Sequence, residues 1–162
     1  ATIDVNLTAV IWTMKAFLPG MVQRKCGHIV NISSAAGFLG TPFMSPYNAS
    51  KWGLIGLTES LKLEMDQLGV KGVRFTLVCP SYVDTGMFHG VRAPLLVPLL
   101  RPEPLVAKAY RAFRHNRYYV MAPFMVNWIP LLGGIMPIAI FWRVAKVLGV
   151  SSSMSGWKGR KG

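Results

Sequence analysis

The sequence has few cysteines, and their placement excludes two classes of site. Cys26 and Cys79 form no Cys-x-x-Cys or clustered Cys/His spacing, which argues against a structural metal site and a disulfide framework. We expect two buried free thiols in a reducing, intracellular setting. Charged residues are also scarce, at 15% against 52% hydrophobic residues, which argues against disorder. A length of 162 residues is enough for one domain.

Acidic residues are absent from the last third of the chain. All six Asp and Glu residues lie within residues 1–103, whereas residues 104–162 contain nine of the 18 Lys and Arg residues. This bias favours an anionic partner surface, either lipid headgroups or nucleic acid. The chain also lacks an initial Met and a signal peptide and opens within a helical pattern, so we expect a piece of a longer protein.

The apolar periodicity predicts helices alternating with strands. Ser45 is expected to cap the second helix ahead of Pro46, and Gly69 to end it. In chain order, the patterns predict a helix over 3–23, a buried strand over 28–33, a loop over 33–37, a helix over 45–68, a strand over 73–79, a basic helix near 105–116 and a strand over 118–122. This order is typical of an α/β domain with a parallel sheet.

Tyr47 and Lys51 are four residues apart in the second predicted helix and therefore share one face. A phenol ordinarily has a pKa of about 10. A fixed ammonium one turn away favours the phenolate, so we expect Lys51 to lower the pKa of Tyr47. Such a pair suits a general acid/base that moves a proton on or off an alcohol oxygen. The alternative is a solvated pair on a surface helix.

Two further polar residues stand where they could join this pair. Ser34 follows the first predicted strand, and open α/β sheets place their ligand sites at the carboxyl ends of the strands. Its hydroxyl could donate to a substrate oxygen. Asn6 lies on the inner part of the first predicted helix, where it could hold a water or a backbone group behind Lys51, or be an ordinary core asparagine.

These residues belong to segments that resemble a known family. Asn-Ile-Ser-Ser-Ala-Ala-Gly at 31–37 and Tyr-Asn-Ala-Ser-Lys at 47–51 are similar to the active-site signature of short-chain dehydrogenases/reductases. Val-Asn-Leu at 5–7 resembles the family's helix that bears the catalytic asparagine. The resemblance is close over residues 1–122.

The resemblance implies a role for each of the four residues. Tyr47 would be the acid/base, and Lys51 would lower its pKa and bind the nicotinamide ribose. Ser34 would orient the carbonyl, and Asn6 would complete the proton relay. The implied activity is hydride transfer between NAD or NADP and an alcohol/carbonyl pair.

The segment Cys-Pro-Ser-Tyr-Val-Asp-Thr at 79–85 resembles the part of the family that binds the nicotinamide. The resemblance implies cofactor contacts from Pro80, Ser81, Val83 and Thr85, with backbone groups near Val83 on the carboxamide. Many members have Pro-Gly where this chain has Pro80-Ser81.

The glycine-rich elements of the family are missing from this sequence. No Gly-x-x-x-Gly-x-Gly follows a predicted strand, and Asn-Asn-Ala-Gly is absent. The implied fold is a Rossmann-like, doubly wound parallel sheet, here its second half of about three strands with flanking helices. We expect the pyrophosphate-binding half upstream of Ala1, and an exposed apolar sheet edge without it. The 162 residues alone are expected neither to bind dinucleotide tightly nor to turn over substrate.

The last part of the chain is apolar and basic. No charged residue occurs between Arg117 and Arg143, a span long enough to cross a bilayer, which takes about 20 residues. Three prolines interrupt it, so we predict a broken, interfacial apolar surface rather than a spanning helix. We therefore separate a catalytic part, 1–122, from an extension, 123–162, and expect residues 118–161 to contact a membrane. The basic residues expected to assist are Lys108, Arg111, Arg114 and Arg117.

Substrate and partners follow from the same features. Residues 83–88 and 148–160 resemble the branch of the family that acts on retinoids, steroids or other lipophilic alcohols and is often membrane-associated. The predicted substrate loop, 86–105, is rich in apolar residues, among them Met87, Phe88, Leu95, Leu96, Val97, Leu99 and Leu100. The family resemblance implies a homodimer through the helices around 3–23 and 45–68, and the tail lacks a nucleic-acid-binding pattern. The competing hypothesis is a non-catalytic module that binds a membrane or a protein.

Overall fold

The computed structural model describes residues 1–86, 90–95 and 97–157. A π-helical segment, Asp4–Thr8, leads into helix α1, Ala9–Gln23. The remaining elements, in order, are β1 (Gly27–Ile32), a 3-10 turn (Ala35–Gly37), α2 (Ser45–Gln67), β2 (Val73–Pro80), α3 (Pro102–Arg114), β3 (Tyr119–Ala122), a 3-10 turn (Phe124–Asn127), α4 (Trp128–Ile135), α5 (Ile138–Val147) and a 3-10 turn (Val150–Ser152).

The three strands form one parallel sheet in the order β1-β2-β3. Gly27 pairs with Val73 at the start of the β1–β2 ladder, and Pro80 pairs with Ala122 at the end of the β2–β3 ladder. Pro80 has no amide hydrogen, yet it costs the ladder little because it is the last residue of its strand. The predicted α/β class and parallel sheet are confirmed.

Helices cover both faces of this sheet. Alternate side chains of a strand point to opposite faces, and in β2 they separate cleanly. Leu77 and Cys79 pack in a core cluster with Ile55 of α2, whereas Val78 packs with Ala112 of α3. β2 is buried along almost its whole length for this reason, and its sequence is correspondingly apolar.

The beginning of α2 differs from the prediction. The residue that caps this helix is Met44, without a side-chain hydrogen bond, and Ser45 is already in the first turn. The Asn48 amide donates to the Met44 carbonyl at 2.8 Å, so the helical bonding starts one residue earlier than expected. The end of the helix is as predicted, because Gly69 adopts φ +68°, a conformation that glycine takes without strain.

β1 has an open side. Within the described residues it pairs with β2 alone, and Val30 and Ile32 on one of its faces are 39% and 54% exposed. The sequence predicts this exposed apolar edge. The strand has the predicted length of six residues but begins and ends one residue earlier, at Gly27 and Ile32, although the Ser33 amide still donates to the Val78 carbonyl at 2.8 Å.

The apolar span after Arg117 is divided among several elements. Its first residues form β3 inside the domain, and the rest form two short helices, α4 and α5. In the described part of the chain, one helix, residues 4–23, has the length and apolar composition of a membrane span; packed helices of other proteins pass the same test. This helix lies at the other end of the chain from the predicted membrane-contacting segment.

The two cysteines differ in environment. Cys79 is fully buried in β2, as predicted, whereas Cys26 is exposed. The prediction for Cys26 was wrong because this residue lies in the turn before β1 rather than on the strand itself.

Candidate active site

Ser34 lies where β1 ends, beside the carboxyl end of β2. Its backbone is extended, and its Oγ accepts a hydrogen bond from the Ala36 amide at 3.2 Å, which caps the 3-10 turn. The same hydroxyl donates to the Pro80 carbonyl at 3.3 Å. These bonds hold a buried serine at the edge of the sheet where a parallel α/β fold binds ligands.

Tyr47 and Lys51 lie one turn apart near the start of α2, as the spacing predicts. The Lys51 ammonium donates to the Ile32 carbonyl at 2.9 Å and lies 5.6 Å from the centre of the Tyr47 ring. The Ser33 hydroxyl donates to the Lys51 carbonyl at 3.0 Å. α2 is thus fastened directly to the end of β1, which brings Ser34, Tyr47 and Lys51 into one site.

Burial dominates the titration of both helix residues. It raises the pKa of Tyr47 above its ordinary value, and a hydrogen bond with the Ser34 side chain partly opposes this. It lowers the pKa of Lys51. The direction for Tyr47 is opposite to the lowering that the sequence predicts, because the enclosed phenol loses hydration that its anion would need. In this structure Ser34, through its bond, favours the phenolate.

Asn6 reaches the same region from the π-helical segment. Its Nδ2 donates to the Ser50 Oγ at 3.2 Å, and Ser50 donates to the Tyr47 carbonyl at 2.6 Å. Ser50 is completely buried. A π turn is often found at functional sites, and here it carries the predicted relay residue. The fold therefore places Asn6 one hydrogen bond away from the helix that bears Tyr47 and Lys51.

The predicted nicotinamide segment follows β2 at the same edge. The Ser81 amide donates to the Ala122 carbonyl at 2.7 Å, and the Thr85 amide donates to the Val83 carbonyl at 2.9 Å. Thr85 is exposed. Non-glycine residues with positive φ in the described chain are Lys25, Phe43 and Asn116, so the Pro80–Ser81 turn needs no glycine. The cofactor contacts of Pro80, Ser81, Val83 and Thr85 remain predictions.

A cavity of about 160 Å³ opens beside Ser34 and Tyr47. Its remaining lining is mostly apolar and comes from four parts of the chain. They are the segment after β1, the segment after β2, the three residues Pro94, Leu95 and Val97, and the C-terminal region from Met125 to Val150. The apolar contributors from the C-terminal region include Trp128, Ile129, Leu132, Phe141, Val144, Ala145, Leu148 and Val150. The hydroxyl groups of Ser34 and Tyr47 thus face a largely apolar, partly open cavity, whose other hydroxyl-bearing residues are Thr41, Ser81 and Tyr82. Such a cavity suits a lipophilic molecule with one oxygen.

Comparisons with known proteins agree with this geometry. The sequence pattern of the family described as short chain dehydrogenase matches residues 1–95, more than half of the chain. The chain belongs to the short-chain dehydrogenase family. Ser34, Tyr47, Lys51 and Asn6 all lie within the matched residues.

Among curated proteins, the chain is 39% identical over 160 residues to epidermal retinol dehydrogenase 2 of Mus musculus, covering 98% of this chain and 52% of that protein. It is 39% identical over 158 residues to retinol dehydrogenase 10-A of Danio rerio, covering 94% and 46%. The chain therefore spans about half the length of these relatives.

Solved structures show the same half of the fold. A short chain dehydrogenase from Burkholderia cenocepacia in complex with NADP superposes with a TM-score of 0.72 at 24% identity, over 88% of this chain and 56% of that one. A short-chain dehydrogenase from Sphingobium yanoikuyae in complex with NADPH gives 0.67 at 29% identity, over 82% and 52%. The three-stranded sheet with its helices is thus part of a Rossmann-like domain.

The C-terminal helices are the part of the site that sequence reasoning missed. They were expected at a membrane, yet Phe141, Val144 and Leu148 line the cavity. Their spacing of three and four residues is the signal that marks an inward face. In the predicted substrate loop, Leu95 and Val97 line the cavity and Leu100 pairs with Val83. Met87, Phe88 and Leu96 lie outside the described residues.

Of the four predicted basic residues, Lys108 bonds within the domain, and the other three are exposed. The Lys108 ammonium donates to the Met121 carbonyl at 2.6 Å, so it fastens α3 to β3. Arg111 and Arg114 are exposed on α3, and Arg117 follows in the turn after the helix.

Proposed function

We propose that this chain is the catalytic half of an NAD(P)-dependent oxidoreductase that interconverts an alcohol and a carbonyl compound. The observation that carries the proposal is the convergence of Ser34 and Tyr47 on one apolar cavity, with Lys51 one helical turn from Tyr47. Ser34 can hold the substrate oxygen by a hydrogen bond while Tyr47 takes or gives the proton.

The residues of this chain fit the nicotinamide end of a dinucleotide. Lys51 presents an ammonium at the carboxyl edge of the sheet, where it can bind a ribose hydroxyl. Val83 follows β2 at the same edge, and its backbone amide is the group proposed for the carboxamide. A bound NAD or NADP supplies the hydride acceptor or donor. Tyr47 moves the proton, Lys51 stabilises its phenolate, and Asn6 holds the start of α2 through Ser50, whose hydroxyl bonds the Tyr47 carbonyl. The nicotinamide end is the same in NAD and NADP, so these residues fit both dinucleotides.

We propose a lipophilic alcohol as the substrate. The lining of the cavity is apolar apart from Ser34, Tyr47 and a few other hydroxyl groups, so a substrate gains mainly by burying hydrocarbon surface. Two relatives are named retinol dehydrogenases, which supports this class.

The test is Tyr47→Phe in the full-length protein, meaning a polypeptide in which this sequence is accompanied by the first half of the family's domain. We expect alcohol oxidation to fall by more than about a hundredfold, because the general base is lost, while the dissociation constant of the dinucleotide changes little. In the unchanged protein the oxidation rate should rise with pH, because burial holds the pKa of Tyr47 above its ordinary value and oxidation needs the phenolate.

Tyr110→Phe is the matched control, since Tyr110 is an exposed residue on α3 and the change removes the same hydroxyl. It should leave turnover as it was. Activity retained in Tyr47→Phe rejects the assigned role. A full-length protein that binds dinucleotide but converts no alcohol or carbonyl favours the alternative, a non-catalytic binding module.

We also propose a peripheral membrane contact for the outer sides of α4 and α5. Ile135, Ile138 and Val147 are strongly exposed there, and Arg143 and Lys146 are exposed cations on α5. Apolar side chains flanked by cations suit the surface of an anionic bilayer. For the homodimer, the support is the exposed apolar face of α1, with Trp12 and Phe17 each 62% exposed.

A further inference from the structure

The last described residues lie across the segment before α3. We call residues 148–156 the strap and residues 90–95 the loop. The Arg92 amide donates to the Ser153 carbonyl at 3.0 Å, and the Leu95 amide donates to the Leu148 carbonyl at 2.9 Å. A Cβ atom on Gly156 would lie 2.7 Å from the Gly90 carbonyl oxygen, so the two backbones are in direct contact there.

One side-chain bond joins this strap to the active-site segment. The Tyr82 hydroxyl donates to the Ser153 Oγ at 2.9 Å, and the Ser153 hydroxyl donates in turn to the Val150 carbonyl at 2.7 Å. Ser153 is completely buried and lies 71 residues after Tyr82 in the sequence. No short sequence pattern around Ser153 predicts this contact. A buried hydroxyl is costly unless it is bonded, so this pair specifies one arrangement of the strap.

Tyr82 connects that bond to the reacting groups. It stands between Ser81 and Val83, its carbonyl accepts from the Leu100 amide at 2.9 Å, and its ring lines the cavity together with Tyr47. On the other side, Leu148 and Val150 of the strap and Leu95 of the loop are cavity walls.

We propose that Ser153 and Tyr82 are positioning residues that set the length of alcohol the enzyme accepts. Their bond holds the strap and the loop together as the cavity wall formed by Leu95, Leu148 and Val150. This inference rests on the proposed function. A small alcohol needs only the space beside Ser34 and Tyr47, whereas a long apolar alcohol also needs that wall.

The decisive experiment compares two alcohols in the full-length protein, one long and apolar, such as a C20 polyene alcohol, and one small, such as cyclohexanol. We expect Ser153→Ala and Tyr82→Phe each to lower kcat/KM for the long alcohol about tenfold, mainly through KM, because one buried hydrogen bond is lost. The value for the small alcohol should change less than about twofold. The double variant should lose no more than the larger single loss, since both changes break the same bond.

Two control pairs separate positioning from general destabilisation. Ser155→Ala removes an exposed hydroxyl that bonds only its own turn, at the Ser152 carbonyl, and should change neither alcohol. Gly156→Ala forces the strap away from Gly90 and should reproduce the loss for the long alcohol. Gly134→Ala should leave the kcat/KM for the long alcohol unchanged, because a Cβ atom at Gly134 would have nothing within 4 Å.

Amide hydrogen exchange gives a readout that needs no turnover. If Ser153 holds the strap on the loop, Ser153→Ala should speed exchange at Arg92 and Leu95, whose amides bond the strap, and leave the amides of β2 unchanged. This arm remains decisive even if Tyr47→Phe overturns the proposed function.

Three results would overturn the inference: equal losses for both alcohols, additive losses in the double variant, or unchanged exchange at Arg92 and Leu95 in Ser153→Ala. Any of them with the Tyr47→Phe effect intact would reject the positioning role alone.

Discussion

At the residue scale, two serines, Ser33 and Ser50, connect the elements that carry the candidate site. Ser50 accepts from Asn6 and donates to the Tyr47 carbonyl, while Ser33 donates to the Lys51 carbonyl. Neither is a proposed reacting group, yet their bonds hold the backbone of Tyr47 and Lys51 relative to β1 and the π-helical segment. Fixed donors and acceptors of this kind lower the cost of arranging the reacting groups.

The two cysteines allow a prediction at this scale. Cys79 is fully buried, and burial raises the pKa of its thiol to about 12, so almost none of it is thiolate at neutral pH. Cys26 is exposed. We expect alkylation of the native protein, followed by peptide mapping, to label Cys26 and spare Cys79 until the protein is unfolded. Rapid labelling of Cys79 in the native state would contradict the burial.

The residues that meet in the candidate site could be predicted to lie together, whereas the pKa of Tyr47 could not be predicted. Ser34, Tyr47 and Lys51 lie in short local patterns, and the helical spacing of Tyr47 and Lys51 already brings those two together. The pKa of Tyr47 depends on how much of the chain closes over it, including residues beyond position 90, so its direction emerges only from the tertiary structure. The Tyr82–Ser153 bond has no local pattern at all.

At the element scale, the close approach between the turn that follows Ser34 and α2 determines the site. Gly37 packs so tightly that a Cβ atom there would lie 2.9 Å from the Lys51 carbonyl oxygen and would also meet Ile55. The absence of a side chain lets the two elements that carry Ser34 and Lys51 come together.

Two glycine substitutions test this contact. Gly37→Ala should lower the free energy of unfolding by about 1–3 kcal/mol and reduce turnover, because the turn must move away from α2. Gly56 is an exposed residue of α2, and a Cβ atom there would have nothing within 4 Å. Gly56→Ala should therefore raise the free energy of unfolding by roughly 0.5–1 kcal/mol. Denaturant unfolding of both variants measures the difference, and a stabilised Gly37→Ala protein would refute the close packing.

Most elements were predictable because their periodicity and end signals are local. The exceptions have tertiary causes. Met44 begins α2 in place of Ser45 because its carbonyl is already in a helical bond. The sequence of α4 and α5 predicts one interfacial surface because it is largely apolar. Composition alone does not indicate which side of each helix packs against the cavity.

At the scale of the whole molecule, α4 and α5 have two apolar sides with different environments. Trp128, Ile129 and Phe141 line the cavity, while Ile135 and Ile138 are 72% and 65% exposed. The proposed division after residue 122 thus separates chain segments that share one cavity. A lipophilic substrate would meet these helices both at the proposed membrane surface and inside the site.

The membrane contact predicts a selective loss of binding. Replacing Ile135 and Ile138 by Ser should abolish flotation of the full-length protein with phosphatidylserine vesicles, because the inserted apolar surface is removed. Val106→Ser, on α3, removes an equally exposed side chain, at 64%, and should float like the unchanged protein. Raising the salt concentration should weaken flotation. Equal flotation of all variants would assign membrane binding to another part of the protein.

The cavity is lined by two separate stretches of the chain, residues 34–47 and residues 81–150, which genetic recombination could bring from different parents. All four proposed catalytic residues precede position 52, whereas most of the cavity wall comes from positions beyond 80. The rest of the wall lies between Ser34 and Tyr47 and consists of Ala35, Ala36, Leu39, Thr41 and Met44. A single recombination between related genes, with its crossover in the codons of β2, would therefore replace most of the cavity wall and keep Ser34, Tyr47, Lys51 and Asn6. Under the proposed function, such a lineage would change the alcohol that it accepts without a mutation in any of these four residues.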